Sequence, residues 1–173
     1  MNTDEPKRFY GKYRGRVQNN IDPQQIGRLL VDVAGVTPTG LSSWAMPCVP
    51  VAGLQMGFYT VPPIGAGVWI EFEQGDLDHP IWVGGYWGSA AEVPTLARLV
   101  PPVIAGITMQ TTLLNGLTVN DVPGPTGGIM LKSATGATLI VNDTGIYIQN
   151  GKGASIVMVG PSVTINNGAL TVI

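Results

Sequence analysis

Four carboxylates and one imidazole fall within nine residues of this chain: Glu71, Glu73, Asp76, Asp78 and His79. Such groups are the raw material of a metal site or of acid–base catalysis. Their spacing argues for less. Side chains of a strand alternate between its faces, so Glu71 and Glu73 share the face opposite Val68, Ile70 and Phe72. The run then enters the polar turn QGDLDH, and His79, just before Pro80, is the single histidine. A solvated strand face leading into a turn accounts for all five residues. Ser42, Ser43, Ser133 and Ser155 have only His79 to draw on for a triad. GGYWG and GPTGG lack the Lys-Ser/Thr that completes a phosphate loop. Cys48 is the only cysteine, which leaves no intrachain disulfide and no Cys-based metal site, and it reads as a small buried hydrophobe. No catalytic residue, metal or cofactor is expected.

A basic run, Lys7, Arg8, Lys12, Arg14 and Arg16, is mixed with Phe9, Tyr10 and Tyr13. Basic side chains interleaved with aromatic ones can grip a single-stranded nucleic acid. The net charge of −2 opposes this, and Arg28 stands alone beyond the run. A solvated edge or a protein-docking arm is the simpler reading, and no nucleic-acid partner is expected.

The elements that must carry these residues are strands. Glycine and proline total 24 + 14 = 38, which favours turns over long helices. Charged residues are only 12% of the chain, about half the usual share. No apolar run approaches the ~18 residues of a membrane span, and MNTDEPKRFY lacks the apolar core of a secretory signal. A soluble product made in the cytoplasm is expected.

Aromatic residues divide the chain: every one but Tyr147 lies before Gly88. After an N-terminal arm (1–10), residues 11–87 read as short alternating strands at 13–18, 28–33, 67–73 and 80–86. About five strands joined by turns suggest a small closed or partly closed β-barrel filled by Val, Leu, Ile and Phe. Residues 88–125 hold five prolines and read as a connector that packs on a trimer formed by the residues after it.

Residues 126–173 follow another grammar. The apolar pairs are Ile129/Leu131, Leu139/Val141, Ile146/Ile148, Ile156/Met158, Val163/Ile165 and Leu170/Val172, whose first members step by 10, 7, 10, 7 and 7 residues. GG, TG, NDTG, NGKG, GP and NNG fall between them as turns. This predicts a regular meander of six short strands. A single such layer has nothing to cover its apolar face. Three identical copies about one axis would bury it in a β-prism, with Ile129 through Ile165 of these pairs as the trimer core. Six strands at ~4.8 Å give a shaft of roughly 30 Å.

The first half also resembles a known family. Asp22-Pro23 with Gly27-Arg28-Leu29, then WAMP at 44–47, VPPIGAGVWIEF at 61–72 and GDLDHPIWVG at 75–84, are similar to the OB-fold domain of central spike proteins. These serve contractile injection machines: phage baseplates, tailocins, extracellular injection systems and type VI secretion. The motif positions are Asp22, Pro23, Gly27, Arg28, Pro62, Gly65, Gly67, Gly75, Asp76 and Pro80, with Pro62-Pro63 expected to end a strand. The resemblance implies an all-β chain: a five-stranded OB-fold barrel followed by an intertwined triple-stranded β-helix. It implies a homotrimeric component of a tail or baseplate, with the OB domains docked on a hub and the spike directed at the target envelope. Few residues precede the OB region, so the hub is expected as a separate protein. The family's metal-binding His-x-His apex has no counterpart after His79. Ala169, Leu170, Thr171, Val172 and Ile173 are instead expected to receive a separate tip of the PAAR-repeat type. The competing readings are an OB-fold module for oligosaccharide or single-stranded nucleic acid with a trimerisation stalk, and a β-helical carbohydrate-active enzyme, for which the shaft lacks acidic residues.

Overall fold

The computed structural model describes residues 7–37 and 40–172, and its contacts divide into two compact units that meet between Ala90 and Ala91. The first unit contains β1 (Tyr13–Asn19), β2 (Leu30–Asp32), β3 (Met46–Pro47), β4 (Ala52–Gly53), β5 (Met56–Gly57), β6 (Gly67–Phe72) and β7 (Pro80–Tyr86). Five of them form one sheet in the order β2-β1-β6-β7-β3, while β4 and β5 pair as a separate hairpin. All pairings in the sheet are antiparallel except β3 with β7. The sheet then closes on itself. Leu29 and Ala45, just ahead of β2 and β3, exchange both backbone hydrogen bonds at 3.1 and 2.8 Å. The result is a five-stranded Greek-key barrel with one parallel contact, the topology of an OB-fold.

Alternation explains its core. In β6 every second residue turns inward, so Val68, Ile70 and Phe72 are buried together with Val17, Leu29, Val31, Val33, Ala45 and Trp82. Phe9 packs edge-on to Tyr13 and against Phe72, and its N–H donates to Gly75 O. The described part of the N-terminal arm therefore lies on the barrel; residues 1–6 of that arm lie outside the described residues. Two expectations fail here. Pro62-Pro63 ends no strand, since β5 stops at Gly57; Pro62 O instead accepts a hydrogen bond from Asn20 at 2.9 Å. Cys48 is exposed, because it follows the last residue of β3 with only its backbone N–H turned inward, to Trp82 O.

The second unit is a single eight-stranded meander. Its strands are β8 (Gly106–Gln110), β9 (Gly116–Asn120), β10 (Gly128–Lys132), β11 (Thr138–Asn142), β12 (Gly145–Gln149), β13 (Ser155–Val159), β14 (Ser162–Ile165) and β15 (Leu170–Val172). Each pairs antiparallel with the next, all within the chain. The sheet thus begins at Gly106, and two of its strands fall inside 88–125, the stretch read as connector. Within residues 91–105, Leu96 and Val100 pack against the sheet. Leu96 is buried beneath Gly116, and its N–H donates to Gln110 Oε1 at 3.0 Å. Asparagine side chains shape the turns: Asn142 Oδ1 accepts from Thr144 N–H, and Asn150 Oδ1 from Lys152 and Ala154 N–H.

Candidate functional site

The antiparallel registers align the apolar pairs into two rows. One row runs Ile107, Val119, Ile129, Val141, Ile146, Met158, Val163, Val172, each residue opposite the next. The other runs Met109, Leu117, Leu131, Leu139, Ile148, Ile156, Ile165, Leu170 by the same registers. Both rows lie on one face, because the two members of each pair are two residues apart on a strand. Every one of the ten residues expected in the trimer core sits in them. Four residues that the sequence reading passed over, Ile107, Met109, Leu117 and Val119, extend the rows. Their apolar-x-apolar spacing is the same signal, masked by the surrounding prolines.

Among the described residues nothing buries these rows. Ile107, Met109, Val119, Ile129, Leu131, Val141, Ile148, Ile156, Leu170 and Val172 are all exposed, and none of the other six is fully buried. Cross-strand aliphatic pairs stabilise the sheet locally, yet a contiguous exposed apolar face of this extent marks an association surface. The opposite face differs: its central positions are Thr108, Thr118, Met130, Ile140, Tyr147, Val157 and Thr164, and Thr118 is buried where the 91–105 segment packs. Of the residues expected to dock a tip, Leu170 and Val172 end the two rows on the outermost strand, and Ala169 is exposed in the turn before it. Ile173 lies outside the described residues, as does the Thr171 side chain.

Of the residues suited to chemistry, Glu73, Asp76 and His79 line one surface pocket with Arg8, and Glu71 stands apart. Glu71 pairs with Lys12 on the outer barrel face. Glu73 has moved off the strand into a one-turn helix (Glu73–Gly75), so the two glutamates do not share a face. Asp76 Oδ1 accepts from Asp78 N–H at 3.0 Å, closing the turn, and His79 is an exposed neighbour 3.7 Å from Asp76. Among the described residues no three of His, Cys, Asp and Glu gather closely enough to hold a metal ion. Arg14, in the basic run, stacks its guanidinium over both Trp69 and Tyr86, at 5.5 and 5.6 Å from the ring centroids. Those aromatic faces are thereby occupied by the protein's own cation, which is not how a base-stacking platform is left.

The OB motif residues have structural work. Asp22 is almost fully buried and accepts five hydrogen bonds: from Gln24, Ile26 and Arg28 N–H, and from Arg28 Nε and a terminal guanidinium nitrogen at 3.0 and 2.7 Å. The Arg28 guanidinium foremost, with the three backbone donors, holds its carboxyl far below the usual carboxylate range despite burial. Gly27 O accepts from the Trp82 indole N–H at 2.9 Å, tying this loop to the core. Pro80 is buried at the start of β7, and Gly75 is buried against Arg8 and Phe9. Gly65 N–H donates to Val17 O, and Gly67 faces Tyr86 across the ladder.

A closed OB-fold barrel and a separate meander with one uncovered apolar face define a two-part protein that completes its second part by association. The comparisons agree with both parts. Residues 13–87 match the type VI secretion system/phage-baseplate injector OB domain, and residues 106–171 match the phage baseplate V C-terminal trimerisation domain. The chain belongs to the phage baseplate V family. No curated protein matches it. The second match names the association: a homotrimer, through the unit that carries the apolar rows. Both matched families are structural parts of a baseplate.

Proposed function

We propose that the chain is the central spike of a contractile injection machine, and that the two apolar rows form the interior of its trimeric shaft. The observation that carries this is the unbroken run of aliphatic side chains across all eight strands of one face. Three such faces turned to a common axis would stack layers that contain no polar group. Each wall keeps its own ladder hydrogen bonds, and eight strands at ~4.8 Å extend roughly 35 Å, comparable to the hydrocarbon thickness of a bilayer. A dry core of that kind resists axial load without any covalent step, which suits transmission of contraction force to a membrane.

Docking follows from the same picture. The barrel attaches the spike to a baseplate hub, and the open edge at β15, with Leu170 and Val172 exposed at the ends of the rows, receives a tip protein of the PAAR-repeat type. The experiment is to label the chain in intact particles and again after contraction on target cells. A trimer found at the baseplate before firing and in the target envelope afterwards is the expected result. A chain that stays on the fired particle overturns the piercing role.

A further inference from the structure

Asparagine followed by glycine occurs three times, at Asn115-Gly116, Asn150-Gly151 and Asn167-Gly168, always within the second unit. The pairs sit at the β8–β9, β12–β13 and β14–β15 connections, which share one edge of the meander. This dipeptide has chemistry of its own. A backbone nitrogen can attack the side-chain amide carbon of the asparagine before it, and glycine, with no Cβ, leaves that approach open. Two of the three pairs are held against it. Asn115 Oδ1 accepts from Ala134 N–H at 3.0 Å and its Nδ2 donates to Thr111 Oγ1 at 3.4 Å, while a Cβ added to Gly116 would collide with Leu96. Asn150 Oδ1 accepts from Lys152 and Ala154 N–H at 2.8 and 3.1 Å, and a Cβ on Gly151 would lie 2.7 Å from the Gly136 backbone.

Asn167 differs on every count. It is exposed, stands in the left-handed region at φ 56°, and among the described residues nothing hydrogen-bonds its side-chain amide. Gly168, at φ 100°, has open space around it, since a Cβ there would meet no atom within 4 Å. The adjacent Asn166 is by contrast anchored, its Oδ1 accepting from Ser155 N–H at 3.0 Å. The reaction needs only water and hydroxide. Hydroxide takes the Gly168 N–H proton, the nitrogen bonds to Asn167 Cγ, and the Cγ–Nδ2 bond breaks with release of ammonia. Water then opens the cyclic imide at either carbonyl, leaving aspartate or isoaspartate. Isoaspartate carries the chain through its side-chain carbon and so adds a methylene to the backbone of the turn that Ala169 N–H closes on Asn166 O. That turn sets the register of β15, with Leu170 opposite Ile165 and Val172 opposite Val163.

We infer that Asn167 is a site of spontaneous deamidation in the folded protein, and that its isoaspartyl form loosens β15. This stands or falls independently of the spike reading. The test ages the purified full-length chain in mildly alkaline buffer and follows each Asn-Gly pair by peptide mass mapping, with an isoaspartyl methyltransferase to mark the isoaspartyl product. A parallel sample is aged in urea. In the folded chain Asn167 should convert roughly tenfold or more ahead of Asn115 and Asn150, which react only from locally opened states. In urea all three should convert at similar rates. Equal rates in the folded chain, or an intact Asn167, overturn the site, and the same ranking in urea overturns its structural cause. Hydrogen exchange then reads the strand. Exchange at β15 should quicken as the parent chain ages and stay slow in Asn167→Gly, which cannot form the imide and accepts the same positive φ. Unchanged exchange in the converted parent, or equal quickening in the variant, overturns the loosening.

Discussion

Asp22 and Arg28 form a two-pronged ion pair at 3.0 and 2.7 Å inside the loop that precedes β2, with the carboxylate nearly out of contact with water. Because the folded carboxyl titrates below its unfolded value, its contribution to stability is complete above the unfolded pKa of about 4 and is lost as pH falls below it. Asp22→Asn keeps the shape but removes the charge and leaves Arg28 unpaired at a largely buried site. We expect the melting temperature of the first unit to fall by several degrees at pH 7. The gap between variant and parent should narrow as pH is lowered through the acid range. Calorimetry at stepped pH reads both.

The two rows predict which face tolerates a charge. Ile148→Asp places a carboxylate in the proposed axis layer, incurring the burial penalty once for each copy, and should convert the trimer to monomer or aggregate. Thr164→Asp, on the opposite face of the same sheet, should leave the mass unchanged. The milder Ile148→Ala should retain the trimer and lose about 2–5 kcal/mol per copy at most. Light scattering and denaturant melts distinguish the three. Dissociation by Thr164→Asp with tolerance of Ile148→Asp would mean the sheet faces the other way.

Gly128 and Gly153 both have positive φ, at 82° and 105°, yet they should respond differently to alanine. At Gly153 the new methyl meets open space, leaving only backbone strain of roughly 1–2 kcal/mol. At Gly128 it would lie 2.1 Å from Val141 O, inside the β10–β11 ladder. Gly128→Ala should therefore cost clearly more, read as a larger drop in the melting temperature of the second unit.

Removal of residues 166–173 deletes β15 and the turn before it while leaving the apolar pairs of β8–β14. The shortened chain should remain trimeric and fail to co-purify with the proposed tip protein. A truncated trimer that still captures the tip places the docking surface elsewhere.

Arg14 stacks on Trp69 and Tyr86, so the basic run spends its central cation on the protein's own rings rather than leaving those two open to bases. Fluorescence anisotropy with a labelled single-stranded oligonucleotide should show no binding even at low salt, where phosphate contacts are strongest. Salt-sensitive binding would restore the nucleic-acid reading of the barrel.

Strand periodicity is a local property, and it is what the sequence alone determined. The alternation in GVWIEF names the barrel core residues of β6, and the Gly- and Asn-punctuated pairs from Ile129 onward name the apolar face and its need for partners. Asp22-Pro23 announces a turn because its residue types prefer one. The tertiary structure alone decided what depends on pairing between distant segments. Strand β3 is two residues long, contains a proline, and exists only through its parallel partner β7 and the Leu29–Ala45 bridge, so it carries no period to detect. The merging of β8 and β9 into the sheet, the Arg14 stack, the departure of Glu73 from its strand and the exposure of Cys48 are likewise set by which backbone groups find hydrogen-bond partners across the fold. A sequence records each residue's preferences; closure and register are chosen by contacts that no short window contains.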